Sequence, residues 1–418
     1  EHRERNMKDL LRSFIAFGGL LVVIGAQAHE PRVSRYRVSE VPVPHSLRAG
    51  CLDDYAVRVT IRNINDFSVV NGNFTCYLQV DPATGFFQAR NAAFVAASWF
   101  GAVELPRPAD PGSSFGDSIN NRGEIFGYEV GENLFTGVRW TVFGGHERLF
   151  FDPACEFIQV SSASDGNGRY IVGWGLRADS RLPPPADALC LRLRWLIRSP
   201  DGAETEGPLD GSPTAINALN VAVGISDRSA IRYHVPTGQV FVLHTADATH
   251  SAEAQDINDL GEVTGRISQN ASPPSPLTEC DPGVAVRWER DGRERVLPHL
   301  PGAVSSRGFG VGHDGETVGD SGAGAYCSFP DNRGERAVLW LDGRAFDLNT
   351  LIPRSAGITL THALSVNRRG QIVAGGFDND EPLTQCPSVE FDPVTGTVTY
   401  SVDPCHTTRA YVLTPVGR

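Results

Sequence analysis

Short runs in which apolar and polar positions alternate, broken by glycine and aspartate, dominate this chain. In Gly137-Val138-Arg139-Trp140 the apolar residues stand two apart, so they share one face of a strand. The alternation recurs in Ala230-Ile231-Arg232-Tyr233, Ala285-Val286-Arg287-Trp288 and Ala337-Val338-Leu339-Trp340, and more loosely in Phe94 to Trp99 and Leu191 to Trp195. Turns at Gly144-Gly145, Thr237-Gly238, Asp291-Gly292, Asp342-Gly343, Asp201-Gly202 and Gly101 follow these runs. Such dipeptides suit tight hairpins leading into another short strand. No segment carries a convincing helical period. Residues 85–98 are rich in alanine, but Gly85 and Phe86-Phe87 fit a turn and a strand as well.

A second pattern precedes these runs, of the form Ile-Asn-x-x-Gly-x-x-x-Gly. It is cleanest at Asp256-Ile257-Asn258-Asp259-Leu260-Gly261 through Gly265, and clear at Ile119-Asn120 through Gly127 and Val366-Asn367 through Gly375. Weaker copies are Ile64-Asn65 through Gly72, Ala163 through Gly173, Ile216-Asn217 through Gly224, and Val311 through Gly319. In the third copy Ser164-Asp165 stands where Ile-Asn is expected, and His313-Asp314 replaces Asn in the sixth. An Asn closely followed by Gly makes a turn that residues with a Cβ resist. One cassette therefore predicts four short strands, with starts near 64, 119, 163, 216, 257, 311 and 366. A four-stranded unit every 40 to 55 residues or so is the period of a propeller blade.

The expected fold is thus all-β: a β-propeller of seven blades of short antiparallel strands, closed by an N-terminal strand. Its last cassette, ending at Arg409 to Pro415, lacks a fourth strand, while Arg35 to Pro42 is an orphan strand ahead of the first cassette. Pairing the two closes the ring and covers an open edge. An open solenoid of sheets is the alternative.

The cassette resembles the HAF-type extracellular repeat of bacterial exported proteins, whose pattern is similar to Ala-x-x-Ile-Asn-x-x-Gly-x-Val-x-Gly followed by Ala-Phe-x-Trp and a turn before Leu. The match is closest at Ala254 to Gly265 with Ala285 to Trp288, and at Ala363 to Gly375 with Arg409 to Leu413; Ala337 to Trp340 followed by Leu348 also fits. The resemblance implies export and β-propeller-like repetition, and supplies no catalytic residue.

Export is also expected from the N-terminus. Met7 to Arg12 is charged, Ser13 to Gly25 is apolar, and Ala26-Gln27-Ala28 is a small-x-small cleavage site, the plan of a signal peptide. We read residues 1–28 as an upstream extension and signal peptide, and residues 29–418 as a single repeat domain. The chain has 37 Lys and Arg against 49 Asp and Glu, for a net charge of -12, which argues against nucleic-acid binding. No later segment is apolar enough to cross a bilayer, and a monomer is expected. Eight cysteines in an exported chain favour disulfides. Neighbour pairing would give 51–76, 155–190, 280–327 and 386–405, the last flanking one loop. No Cys-x-x-Cys occurs, so zinc has little support.

Candidate chemistry is sparse. Asp256, Asp259, Asp291, Asp314 and Asp342 fall where turns and strand ends favour them. His244 and His250, with Asp247 between, lack a third ligand fixed by spacing. Asp165-Gly166-Asn167-Gly168 and Phe377 to Glu381 have a calcium-like composition without the full ligand set. Gly308 to Gly312 lacks the Lys-Ser/Thr pair of a phosphate loop. Trp99, Trp140, Trp195, Trp288 and Trp340 recur in register and suit packing between sheets; Trp174 lies outside that register as a candidate exposed contact. Asn73 and Asn270 begin glycosylation patterns. No residue is assigned as catalytic, cofactor-binding or metal-ligating, and no cofactor is expected. The expected function is a non-enzymatic binding or structural module that meets a protein, glycan or envelope component through a loop-bearing face. The alternative is an extracellular hydrolase of a glycoside or peptide, with acidic residues at the propeller channel.

Overall fold

The Ile-Asn cassette works because one asparagine both closes its own turn and ties its blade to the next. Asn258 Oδ1 accepts from the amides of Leu260 and Glu262, each at 3.0 Å, while its Nδ2 donates to the Gly312 carbonyl of the following blade at 2.8 Å. The same inter-blade bond runs from Asn65 to Asn120, Asn120 to Gly166, Asn167 to Asn217 and Asn217 to Asn258, at 2.8–3.1 Å. Asn367 returns it to Asn65 at 2.9 Å, which closes the circle. Only the sixth blade lacks the donor, because Gly312 stands there; Glu316 Oε2 takes over part of the turn by accepting from the Asp314 amide.

In the computed structural model, residues 33–53, 55, 57–80, 87–108, 112–131, 134–150, 159–178, 190–244, 250–268, 283–322, 334–392 and 397–417 are described. They form a seven-bladed antiparallel β-propeller. Its innermost strands are Arg58–Ile64, Ser113–Ile119, Gln159–Gly166, Ser212–Ile216, Ser251–Ile257, Ser305–Val311 and Ile358–Val366. Strand Arg35–Glu40 pairs with Arg409–Val416, Tyr36 opposite Pro415 and Glu40 opposite Tyr411, and completes the seventh sheet as expected. Among the described residues no helix is long and apolar enough to cross a membrane.

Every innermost strand carries a bulge one residue before its last turn of pairing, for example between Gly116 and Ser118 and between Gly308 and Gly310. The bulge presses the backbone against the neighbouring strand, where the second glycine of the cassette lies. A Cβ at Gly127 would meet the Phe115 carbonyl at 1.9 Å, and one at Gly319 the Arg307 carbonyl at 1.8 Å. That crowding, rather than the turn, is why the second glycine recurs; in the seventh blade it falls on Gly376, whose Cβ would meet the Thr359 carbonyl at 2.1 Å.

Three expectations about register are corrected. The third copy keeps its asparagine at Asn167, not at Ser164-Asp165, and its turn is one residue shorter: Asn167 bonds the Tyr170 carbonyl, whereas Asn65 bonds that of Val69. Trp99 is 67% exposed, because it follows the strand Phe87–Ala97 and Ala96 fills the slot that Trp140 fills in the next blade. Trp195 is buried but three residues early; Arg198 occupies the equivalent pairing position. Trp140, Trp288 and Trp340 are buried between sheets as expected.

Disulfides Cys51–Cys76 and Cys386–Cys405 form. The latter ties the base of a hairpin, Thr384–Asp392 with Thr397–Cys405, inserted between the second and third strands of the seventh blade. The pairings 155–190 and 280–327 involve positions outside the described residues, as do the tips of the three other long insertions.

Candidate functional site

The bulges build the channel. The seven bulged residues, Arg62, Asp117, Ser164, Thr214, Gln255, Phe309 and Leu364, line one cavity of about 310 Å³ together with Trp174. A second cavity of about 340 Å³ lies toward the asparagine turns. Asn63, Asp165, Asp256 and Ser365 line both and so form a waist between them. Three carboxylates from three blades therefore face one channel.

Backbone amides fix two of these carboxylates. Asp165 accepts from the amides of Gly166 at 2.8 Å and Ile216 at 2.9 Å, and from Ser118 Oγ at 2.9 Å. Asp256 accepts from the amides of Ile257 at 2.8 Å and Val311 at 2.9 Å. Loss of water outweighs these bonds: burial pushes Asp165 up to about 7, with Asp256 adding to the rise, and Asp256 itself up to about 6. Burial also raises Asp117, against the pull of Arg62. Groups poised near neutrality can exchange protons. At the turn-side mouth, Arg368 of the seventh blade pairs with Asp66 of the first and Asp259 of the fifth. It reaches across that opening.

A second group of ionisable residues lies between the sixth and seventh blades. Asp320, on the second strand of the sixth, is fully buried; Glu335 precedes the third strand, and His362 lies on the innermost strand of the seventh. His362 Nδ1 is 3.5 Å from Asp320 Oδ2 and 3.2 Å from Glu335 Oε2. Burial works against a proton on His362, but the two carboxylates outweigh it and hold the group up at about 9. Arg307 approaches Asp320 at 3.3 Å and stacks over Phe309 of the channel wall.

No protein-family model matches the chain, and no curated protein is significantly similar to it. Solved structures share its fold. An oligogalacturonate lyase from Vibrio parahaemolyticus is 11% identical with a TM-score of 0.45, covering 91% of this chain and 97% of that one. Virginiamycin B lyase from Staphylococcus aureus is 10% identical with a TM-score of 0.44, over 91% of this chain and 100% of that one. A prolyl endopeptidase is 10% identical with a TM-score of 0.47, over 86% of this chain and 50% of that one. At these identities the likeness is one of propeller architecture.

The expectation of a non-enzymatic module without a site is corrected by the geometry. Asp117, Asp165 and Asp256 line one channel, and an Asp-Glu-His group meets in one seam. Asp256 stands at a strand end, as its context suggests, and that strand end lies at the channel waist; Asp291 serves its turn, accepting from the Arg293 amide. Trp174 is half-buried in the channel wall. His244 pairs with Glu294 of the next blade at 2.8 Å, not with His250, and Asp247 is outside the described residues. Asp165-Gly166 ends the third blade's innermost strand and Asn167-Gly168 opens its turn, while Gly308 to Gly312 is strand running into a turn. In Phe377 to Glu381, Asp378 caps its own turn and Glu381 pairs with Arg409.

Proposed function

We propose that this chain is an exported hydrolase that works in the propeller channel, with the glycoside bond of an extracellular polymer as the favoured substrate and a peptide as the second. The observation that carries this reading is that Asp165 and Asp256 both line the waist of one channel and are both raised toward neutrality. Glycoside hydrolysis needs one carboxyl that holds a proton and one that has lost it. Of the two, Asp165 is raised further and is the better holder of the proton. Asp165 then protonates the leaving oxygen while Asp256 acts on water or on the opposite face of the sugar. The backbone amides of Ile216 and Val311 hold both carboxyls in fixed orientation, which limits reorganisation during the reaction. Trp174, with Phe309, offers an apolar wall for a sugar ring.

Export is supported by the charged, apolar and small-residue segments between Met7 and Ala28, and by two disulfides. The repeat's resemblance to HAF-type exported proteins agrees with it. The test is a screen of extracellular polysaccharides and peptides for cleavage by the purified protein. Asp165→Asn and Asp256→Asn should each lose 10²-fold or more in kcat, roughly the scale of general acid–base catalysis, with unchanged folding by circular dichroism. Full activity in both variants, or no cleavage of any polymer, refutes the reading.

A further inference from the structure

The seam between the sixth and seventh blades carries more chemistry than an ion pair requires. Asp320, Glu335 and His362 each offer one ligand atom, and these atoms all lie within 4.8 Å of one another. The two carboxylate oxygens approach the same imidazole nitrogen, Nδ1, at 3.5 and 3.2 Å. One N–H can point at only one of them. Glu335 Oε2 is shut off from solvent and receives no aligned hydrogen bond. Once His362 gives up the proton that the two carboxylates hold on it, three donor atoms stand close enough together to share one cation. Arg307 Nη2 lies 3.3 Å from the same Asp320 Oδ2, with its guanidinium over the Phe309 ring, so a bound ion would share that oxygen with Arg307.

We infer that Asp320, Glu335 and His362 bind a divalent transition-metal ion. An imidazole nitrogen beside carboxylate oxygens suits zinc or manganese, whereas calcium and magnesium favour all-oxygen cages. Three protein ligands leave coordination positions for water, and Glu335 and His362 keep 16% and 20% of their side-chain surface exposed to admit it. Such an open site differs from a closed four-ligand structural one. It stands independently of the hydrolase reading, because none of its ligands lines the channel waist.

The test is calorimetric titration of the EDTA-treated protein with zinc chloride and with manganese chloride. One equivalent of at least one of these metals should bind with micromolar or tighter affinity. His362→Ala and the near-isosteric Glu335→Gln should each weaken it tenfold or more. His244→Ala, which alters a histidine paired only with Glu294 among the bonds described here, should bind as the unaltered protein does. Should His362→Ala fail to fold, Glu335→Gln decides, since zinc or manganese should raise the melting temperature of the unaltered protein and not of the variant. Absence of stoichiometric binding of either metal, or equal affinity in folded His362→Ala or Glu335→Gln, overturns the inference. Loss of polymer cleavage with metal binding intact would instead count against the channel reading alone.

Discussion

Replacing Asn217 by alanine tests the physical basis of the ring. The side chain is 4% exposed. Its Oδ1 accepts from the amides of Leu219 and Val221, each at 3.0 Å, and its Nδ2 donates to the Asn258 carbonyl, also at 3.0 Å. Alanine removes all three bonds and leaves two amides and a carbonyl without those partners. At a net value of about 1 kcal/mol per bond, the loss is about 3 kcal/mol. Water at the channel mouth can reach part of the turn, so the cost should fall toward 2 rather than exceed 4 kcal/mol or so. Asn121→Ala is the control: Asn121 is exposed and bonds only Asp66 in the neighbouring blade, so about 0.5 kcal/mol is expected. Equilibrium urea denaturation followed by tryptophan fluorescence measures both. A cost below about 1 kcal/mol for Asn217→Ala would refute the view that the asparagine ring holds the blades together.

Three other outcomes are expected. Asp165 and Asp256 have folded values raised to about 7 and about 6, above the unfolded value near 3.9. The folded state therefore holds their protons more tightly, and their contribution to stability falls as pH rises from about 4 to about 7; Asp165→Asn should flatten that part of the stability–pH curve relative to the unaltered protein. Trp340→Ala empties a fully packed slot between the fifth and sixth blades and should cost about 3–5 kcal/mol in the same urea assay. Deleting Arg35–Glu40 bares the outer edge of Arg409–Val416, whose other edge stays paired with Ile372–Asp378, and that edge should drive self-association visible by size-exclusion chromatography.

The fold was readable because the repeated residues answer repeated backbone demands. The asparagine ties turn to neighbour, one glycine takes a positive φ, as at Gly261 with 83°, and the other meets a bulge. Ring closure followed from counting strands. Register failed where spacing alone could not decide it: the shortened turn after Asn167 hid the third asparagine behind Ser164-Asp165, and Ala96 in the first blade's aromatic slot left Trp99 in the open. Both sites escaped for a different reason. Asp165 and Asp256 stand in ordinary turn-like contexts, and only the ring brings the third and fifth blades to one waist. Asp320, Glu335 and His362 are spread over two blades, and no local spacing announces them.

The most direct measurement of the channel's role is the pH dependence of kcat/KM on a polymer that the protein cleaves. Activity should rise as Asp256 loses its proton near 6 and fall as Asp165 loses its own near 7, a narrow bell belonging to the coupled pair. A profile flat from about pH 5 to 8 would contradict proton exchange between these two carboxyls.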